Sequence, residues 1–94
     1  MLSLDEILNT DWAKTFQQES LAGFQEVLQL LKDPDFKVGI RHNNETGDWQ
    51  WSVEGPRNFW MWSYDTLAEA RILCAQMGWP VVSITDDYNY EGEG

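Results

Sequence analysis

The residues best suited to binding chemistry lie in one short segment, 59–64, which reads Phe-Trp-Met-Trp-Ser-Tyr. Side chains two residues apart on an extended strand share a face, so Trp60, Trp62 and Tyr64 would form one aromatic row. Trp and Tyr, together with Arg, contribute most of the binding energy at protein interfaces, and aromatic rings also stack on sugars and bases. The segment therefore predicts a binding surface.

The length of the preceding loop decides which face of this strand is buried. Pro56-Arg57-Asn58 suits a three-residue turn with proline first and asparagine in the left-handed conformation. That loop would set Val53 opposite Met61 and turn Trp60 and Trp62 outward. A loop of two or four residues would exchange the faces, and the tail, the last strand or another subunit could also cover the row. The sequence leaves open whether the aromatic row faces solvent or is turned inward or covered.

Two basic residues complete the candidate set. From Phe36 onward, apolar and polar residues alternate, which predicts a half-buried strand with Lys37 and Arg41 on its polar face. If this strand pairs with the next one, either basic residue comes near the aromatic row, and Arg is itself frequent in binding hot spots. The candidate partner-binding residues are Trp60, Trp62, Tyr64, Arg41 and Lys37.

Catalytic signals are weak by comparison. A Cys-His pair would have to bring His42, at the end of a strand, to Cys74, which lies on the apolar stripe of a predicted helix. We expect a buried, inert thiol there. The sequence contains no Gly-rich phosphate loop, no nucleophile elbow and no His or Cys cluster with metal-ligand spacing, so we expect no enzyme activity, no cofactor and no metal site.

Composition narrows the class of partner. Sixteen acidic and six basic residues among 94 give a net charge of −10, which would repel nucleic-acid phosphates and anionic lipid surfaces. Direct binding to nucleic acid or membrane is therefore not expected. The single cysteine excludes an intramolecular disulfide, and no apolar run of about 18 residues is present. Cytoplasmic residence is the simplest expectation.

The charge is unevenly distributed along the chain. Residues 1–35 carry seven acids and two bases, residues 65–94 carry six acids and one base, and the stretch between them is balanced. If the helices cover one face of the sheet, the molecule has an acidic helical side, which we call the negative back, and a free sheet face on the other side. Such a back could imitate nucleic-acid phosphates and occupy a basic groove on another protein, or it could serve only solubility. Both interpretations are kept.

Local signals outline the elements that must position these residues. Ser3 and Glu6 form a capping box, a second helical piece starts near Asp11, and apolar residues recur at helical spacing over 21–31 until Asp33-Pro34 ends the helix. Two alternating strands follow, joined by a polar turn, and the aromatic strand comes third.

The last third predicts one helix and one strand. Thr66 and Glu69 form a capping box, Gly78 suits a left-handed helix end, and 81–85 is a short β-branched run. We expect an α+β fold, a single antiparallel-rich sheet of three to four strands covered on one face by helices, in the order α-β-β-β-α-β. Residues 1–86 would form one compact domain and 87–94 an acidic flexible tail.

These features favour a non-enzymatic protein-interaction module, either an acidic, nucleic-acid-mimicking inhibitor or an adaptor of a cytosolic protein. The alternative is a small-ligand-binding or enzyme-accessory domain that uses the aromatic sheet face. A homo-oligomer formed through that same face is a further expectation.

Overall fold

The computed structural model describes residues 2–45 and 47–87 of the chain. The polypeptide divides into two compact units, Met1–Phe36 and Lys37–Gly94. Three helices form the first unit, and four strands with a fourth helix form the second. The α+β class and the order α-β-β-β-α-β are confirmed, with the first α divided into three helices.

Each helix of the first unit begins at a hydroxyl side chain that accepts a backbone N–H. The helices and their caps are α1 (Leu4–Leu8) after Ser3, α2 (Asp11–Glu19) after Thr10 and α3 (Leu21–Leu31) after Ser20. A helix start leaves backbone N–H groups without partners, and a capping oxygen satisfies one of them. The capping box predicted for Ser3 and Glu6 is present.

The core of the first unit is built on three aromatic rings. Trp12, Phe16 and Phe24 are all buried. The Trp12 and Phe16 centroids lie 5.5 Å apart with the rings at 61°, and the Phe16 and Phe24 centroids lie 6.0 Å apart. Edge-to-face and tilted contacts of this kind add to the stabilisation from apolar burial.

The second unit contains one four-stranded mixed sheet in the order β3-β2-β1-β4. Its strands are β1 (Val38–Asn43), β2 (Gln50–Glu54), β3 (Trp60–Tyr64) and β4 (Val81–Asp86). The β1–β2 and β2–β3 pairs are antiparallel, whereas β1 and β4 are parallel. Beyond β4, the tail predicted at residues 87–94 lies outside the described residues, apart from Asp87.

The turn between β2 and β3 has the predicted length. A 3₁₀ turn, Pro56–Asn58, joins the strands, and the Gly55 N–H donates to the Phe59 carbonyl at 2.7 Å. Asn58 takes the left-handed conformation with φ 60°, as predicted, and so does Arg57 with φ 58°.

The register changes immediately after this turn. Glu54 pairs with Trp60, but Val53 pairs with Trp62, so Met61 is an extra residue in a β-bulge. The predicted pairing of Val53 with Met61 is therefore wrong. A bulge adds a residue to one strand only, so the loop length determines the register up to the bulge and no further.

Helix α4 (Leu67–Met77) covers part of this sheet. The Thr66 hydroxyl accepts the Glu69 N–H at its start, and Gly78 ends it in the left-handed conformation with φ 71°, both as predicted. The helix packs against β2 and β3. Its buried side is Ala70, Leu73, Cys74 and Met77. Val38, Ile40, Val53 and Met61 supply the buried apolar side chains of the strands.

Candidate functional site

Two stacked indoles lie on β3, an edge strand of the sheet. The ring centroids of Trp60 and Trp62 are 5.1 Å apart and the ring planes differ by 24°. Trp60 is 39% exposed and Trp62 is half-buried. We call these two residues the β3 indole pair. Met61 between them is fully buried, so the strand is anchored in the core at the residue that separates the two indoles.

A hydroxyl contact orients the more exposed indole. The Trp60 Nε1 donates to the Ser63 Oγ at 2.8 Å, and the Ser63 Oγ lies 2.9 Å from the Ser52 Oγ. Strict alternation along β3 would have placed Ser63 on the face opposite Trp60, and that expectation is wrong because the bulge at Met61 interrupts the alternation. The polar edge of the Trp60 ring is thereby held, and its apolar surface remains partly open to solvent.

The third member of the predicted aromatic row lies in different surroundings. Tyr64 pairs with Trp51 on β2, whereas a register with Val53 opposite Met61 would have set it opposite Gln50, and it is half-buried. Burial raises the pKa of the Tyr64 hydroxyl, and the neighbouring Cys74 and Glu69 of α4 raise it further. Tyr64 therefore belongs to the contact with α4 and does not extend the indole pair.

Arg41 is already surrounded by carboxylates. Its guanidinium forms ion pairs with Glu45 and with Asp87, the latter with Nε and Oδ2 3.2 Å apart. Burial raises the pKa of Glu54, an effect that the attraction of Arg41 only partly offsets. We refer to Arg41, Glu45, Glu54 and Asp87 as the Arg41 cluster. Arg41 is therefore paired with carboxylates of its own chain.

The two predicted basic residues lie one strand away from the indole pair. β1 pairs with β2, as expected, and Arg41 stands opposite Ser52. Lys37 is exposed and directly precedes β1. Because β2 separates β1 from β3, neither residue is a direct neighbour of the indoles within the sheet.

Sequence reasoning missed a polar contact between β1 and β4. The His42 Nδ1 lies 2.8 Å from the Asp86 Oδ1, and the His42 ring stacks on Trp51 with centroids 4.4 Å apart and planes at 8°. Trp49 is also near, at 5.3 Å. Alternation along β1 and β2 could have suggested the contact with Trp51, but nothing local indicates that Asp86 lies beside His42. A carboxylate in this position holds the imidazole ring in one orientation.

Cys74 has the character expected of an inert thiol. It is 2% exposed on the buried side of α4, as predicted, and burial raises its pKa to about 11. The reactive thiolate is therefore scarce at neutral pH. Across residues 2–45 and 47–87, no group of three His, Cys, Asp or Glu side chains converges as a metal ion would require.

Comparison with protein-family models, with curated proteins and with solved structures returned no match to this chain. None of the helices in the described part of the chain has the length and apolar character needed to cross a membrane.

Proposed function

We propose that this chain is a non-enzymatic protein-interaction module that binds its partner through the β3 indole pair. One observation carries the proposal: Trp60 is 39% exposed, yet it is stacked on Trp62 and hydrogen-bonded through Nε1. A large apolar side chain held in one orientation loses little conformational entropy on binding, which is typical of the residues that anchor protein interfaces.

The surroundings of the pair specify the chemistry of the partner. Glu54 lies opposite Trp60 in the sheet, and the whole chain carries a net charge of −10. The electron-rich face of an indole also attracts guanidinium and ammonium groups. We therefore expect a partner surface with an apolar pocket for Trp60 and a rim of Arg or Lys. We propose that the chain binds its partner in the cytoplasm, as expected for a chain with a single cysteine.

The test compares Trp60→Ala with a matched surface variant. Proteins captured by the full chain from its native host would be purified, and their affinity for the wild type and the variants would be measured by calorimetry. Trp60→Ala should weaken binding at least about 30-fold, as removal of a hot-spot residue does. Ile72→Ala, on a 55% exposed apolar residue of α4, should bind like the wild type.

Two further results decide whether the contact is hydrophobic. Trp60→Phe should retain part of the affinity. Raising salt to about 0.5 M should remove only the part of the affinity that the Arg or Lys rim supplies, because apolar contacts are not screened. Circular dichroism would establish that each variant is folded. Unchanged affinity of Trp60→Ala would refute the proposal.

A second candidate function rests on the charge of the helical unit. All seven acidic side chains of residues 1–35 are exposed, with only Lys14 and Lys32 as bases there. This array suits an acidic inhibitor that imitates nucleic-acid phosphates on a basic protein. In that case affinity should fall steeply with salt, Glu19→Lys with Glu26→Lys should weaken binding, and Trp60→Ala should leave it unchanged.

A further inference from the structure

The strand at the other end of the sheet has an apolar surface that is exposed in the described part of the chain. Among the described residues, β4 pairs only with β1. Val81, Val82 and Ile84 are 37%, 64% and 47% exposed, and they are three of the seven exposed large hydrophobic residues in that part of the chain. Edge strands of soluble proteins usually carry charges or other obstacles to pairing, because their outer backbone groups can accept another strand.

The exposed side chains of β4 continue the face of the sheet that is buried at β1. Ile84 stands opposite Ile40 of β1, which is fully buried. Residues opposite each other in a sheet share a face, and Val81 stands opposite Val38, which is also buried, so Val81 and Ile84 continue that face. Val82 lies between them as the extra residue of a β-bulge. Helix α4 packs on β2 and β3. The apolar face of the sheet therefore extends outward along β4 beyond the strands that α4 covers.

Charge indicates which occupant fits this edge. Residues 72–85 contain no Asp, Glu, Lys or Arg, and no other charge-free stretch of the chain is as long. With a net charge of −10, two copies of the chain repel each other, and the repulsion is smallest where no charged side chain meets its like. At β4 a second copy can approach without bringing like charges into contact, and its own β4 supplies the same β-branched side chains.

We propose that β4 is a dimerisation edge, on which the β4 strands of two copies pair in antiparallel orientation about a two-fold axis near Ser83. Two four-stranded sheets then become one continuous sheet of eight strands. Val82 and Ile84 of each copy then lie against the β4 strand of the other copy, and both side chains lose exposed surface. Such an interface is self-complementary, as two-fold symmetry requires.

The antiparallel orientation follows from the acidic end of the strand. Asp86 lies three residues from Ser83, so the two Asp86 carboxylates would be roughly 20 Å apart at about 3.4 Å per residue. That separation exceeds the screening length of about 8 Å at physiological salt. Parallel pairing would set the two Asp86 residues side by side, where their like charges repel, so the antiparallel arrangement is favoured.

The dimer is expected to be weak. The register of β4 against β1 shifts between Val38 and Gly39, so the regular part of the strand is short. A single short strand buries less area than a standard interface, and we expect a dissociation constant of roughly 10 to 100 μM.

Sedimentation equilibrium of the full chain from about 5 to about 500 μM, a range that brackets this constant, tests the proposal. The wild type should pass from monomer to dimer, and Val82→Lys should raise the dissociation constant at least about tenfold, because it places like charges across the pairing edge. Ile84→Lys should act in the same way. Ile72→Lys adds the same charge at an exposed site on α4 and should leave the dimer intact.

The dependence of the dimer on salt concentration gives an independent test of the proposal. Because both copies are negative, raising salt from about 0.05 to about 0.5 M should strengthen the dimer, whereas binding to a basic partner would weaken. A wild type that stays monomeric throughout overturns the proposal, as does a dimer that survives Val82→Lys and is lost in Trp60→Ala. Assemblies larger than a dimer would contradict the two-fold arrangement.

Discussion

At the scale of single residues, the Arg41 cluster concentrates negative charge around one guanidinium. Burial raises the pKa of Glu54, the repulsion of Glu45 and Asp87 raises it further, and the attraction of Arg41 offsets only part of this increase. At neutral pH Glu54 is charged in the folded protein, and keeping it charged there costs free energy.

Glu54→Gln should consequently stabilise the protein at pH 7. The pKa of Glu54 is higher in the folded than in the unfolded chain, so the contribution of the wild-type carboxyl is present at low pH and is lost as pH rises through the folded value. The increase in Tm should be positive at about pH 7 and should vanish near pH 3, below the ordinary carboxyl pKa. Thermal unfolding followed by Trp fluorescence would measure it.

Glu45→Gln is the matched control, because Glu45 is 65% exposed and pairs with Arg41. It removes an attractive contact of Arg41 along with the repulsion on Glu54, so it should give no comparable increase in Tm. An effect of Glu54→Gln that does not change with pH would contradict the assignment of its cause to charge burial.

At the scale of secondary-structure elements, the C-terminal end of α4 positions the strand that follows it. Gly78 has φ 71°, and the Trp79 N–H donates to the Cys74 carbonyl at 2.9 Å. Trp79 is then buried, and the Val38 N–H donates to the Pro80 carbonyl to begin the β1–β4 pairing. Glycine adopts the left-handed conformation without the steric cost that a Cβ imposes.

Gly78→Ala should lower the free energy of unfolding by about 1 kcal/mol, the usual cost of a Cβ in the left-handed region. Gly78→Asn should cost less, because asparagine tolerates this conformation. Urea unfolding would measure both variants. Equal losses in the two would mean that contacts of the added side chain, and not backbone strain, cause the effect.

At the scale of the whole molecule, the net charge of −10 opposes folding, because carboxylates that are far apart in the unfolded chain come closer together in the compact state. Arg41 relieves part of this repulsion locally. The exposed acids of the first unit have only two bases near them in sequence.

Added salt should therefore raise the Tm. Between about 0.01 and about 0.3 M sodium chloride the screening length falls several-fold, and the self-repulsion falls with it. The matched control is the same titration close to the sequence pI of about 4.2, where the net charge is small and salt should have little effect. A Tm that does not respond to salt at pH 7 would contradict this account of the charge.

Features that depend on neighbouring residues could be predicted from the sequence. The caps at Ser3 and Thr66 and the helix end at Gly78 follow from hydrogen bonds and backbone conformations within a few residues. The length of the turn at Pro56–Asn58 and the burial of Cys74 also follow from local patterns.

Contacts between distant residues could not be predicted in this way and are known only from the folded structure. The bulge at Met61 changes the pairing beyond the turn, and the parallel β4 brings Asp86 to His42. The same strand brings Asp87, the residue after it, to Arg41. The physical reason is that register and strand order follow from the packing of the whole sheet, in which a shift of one residue exchanges the faces.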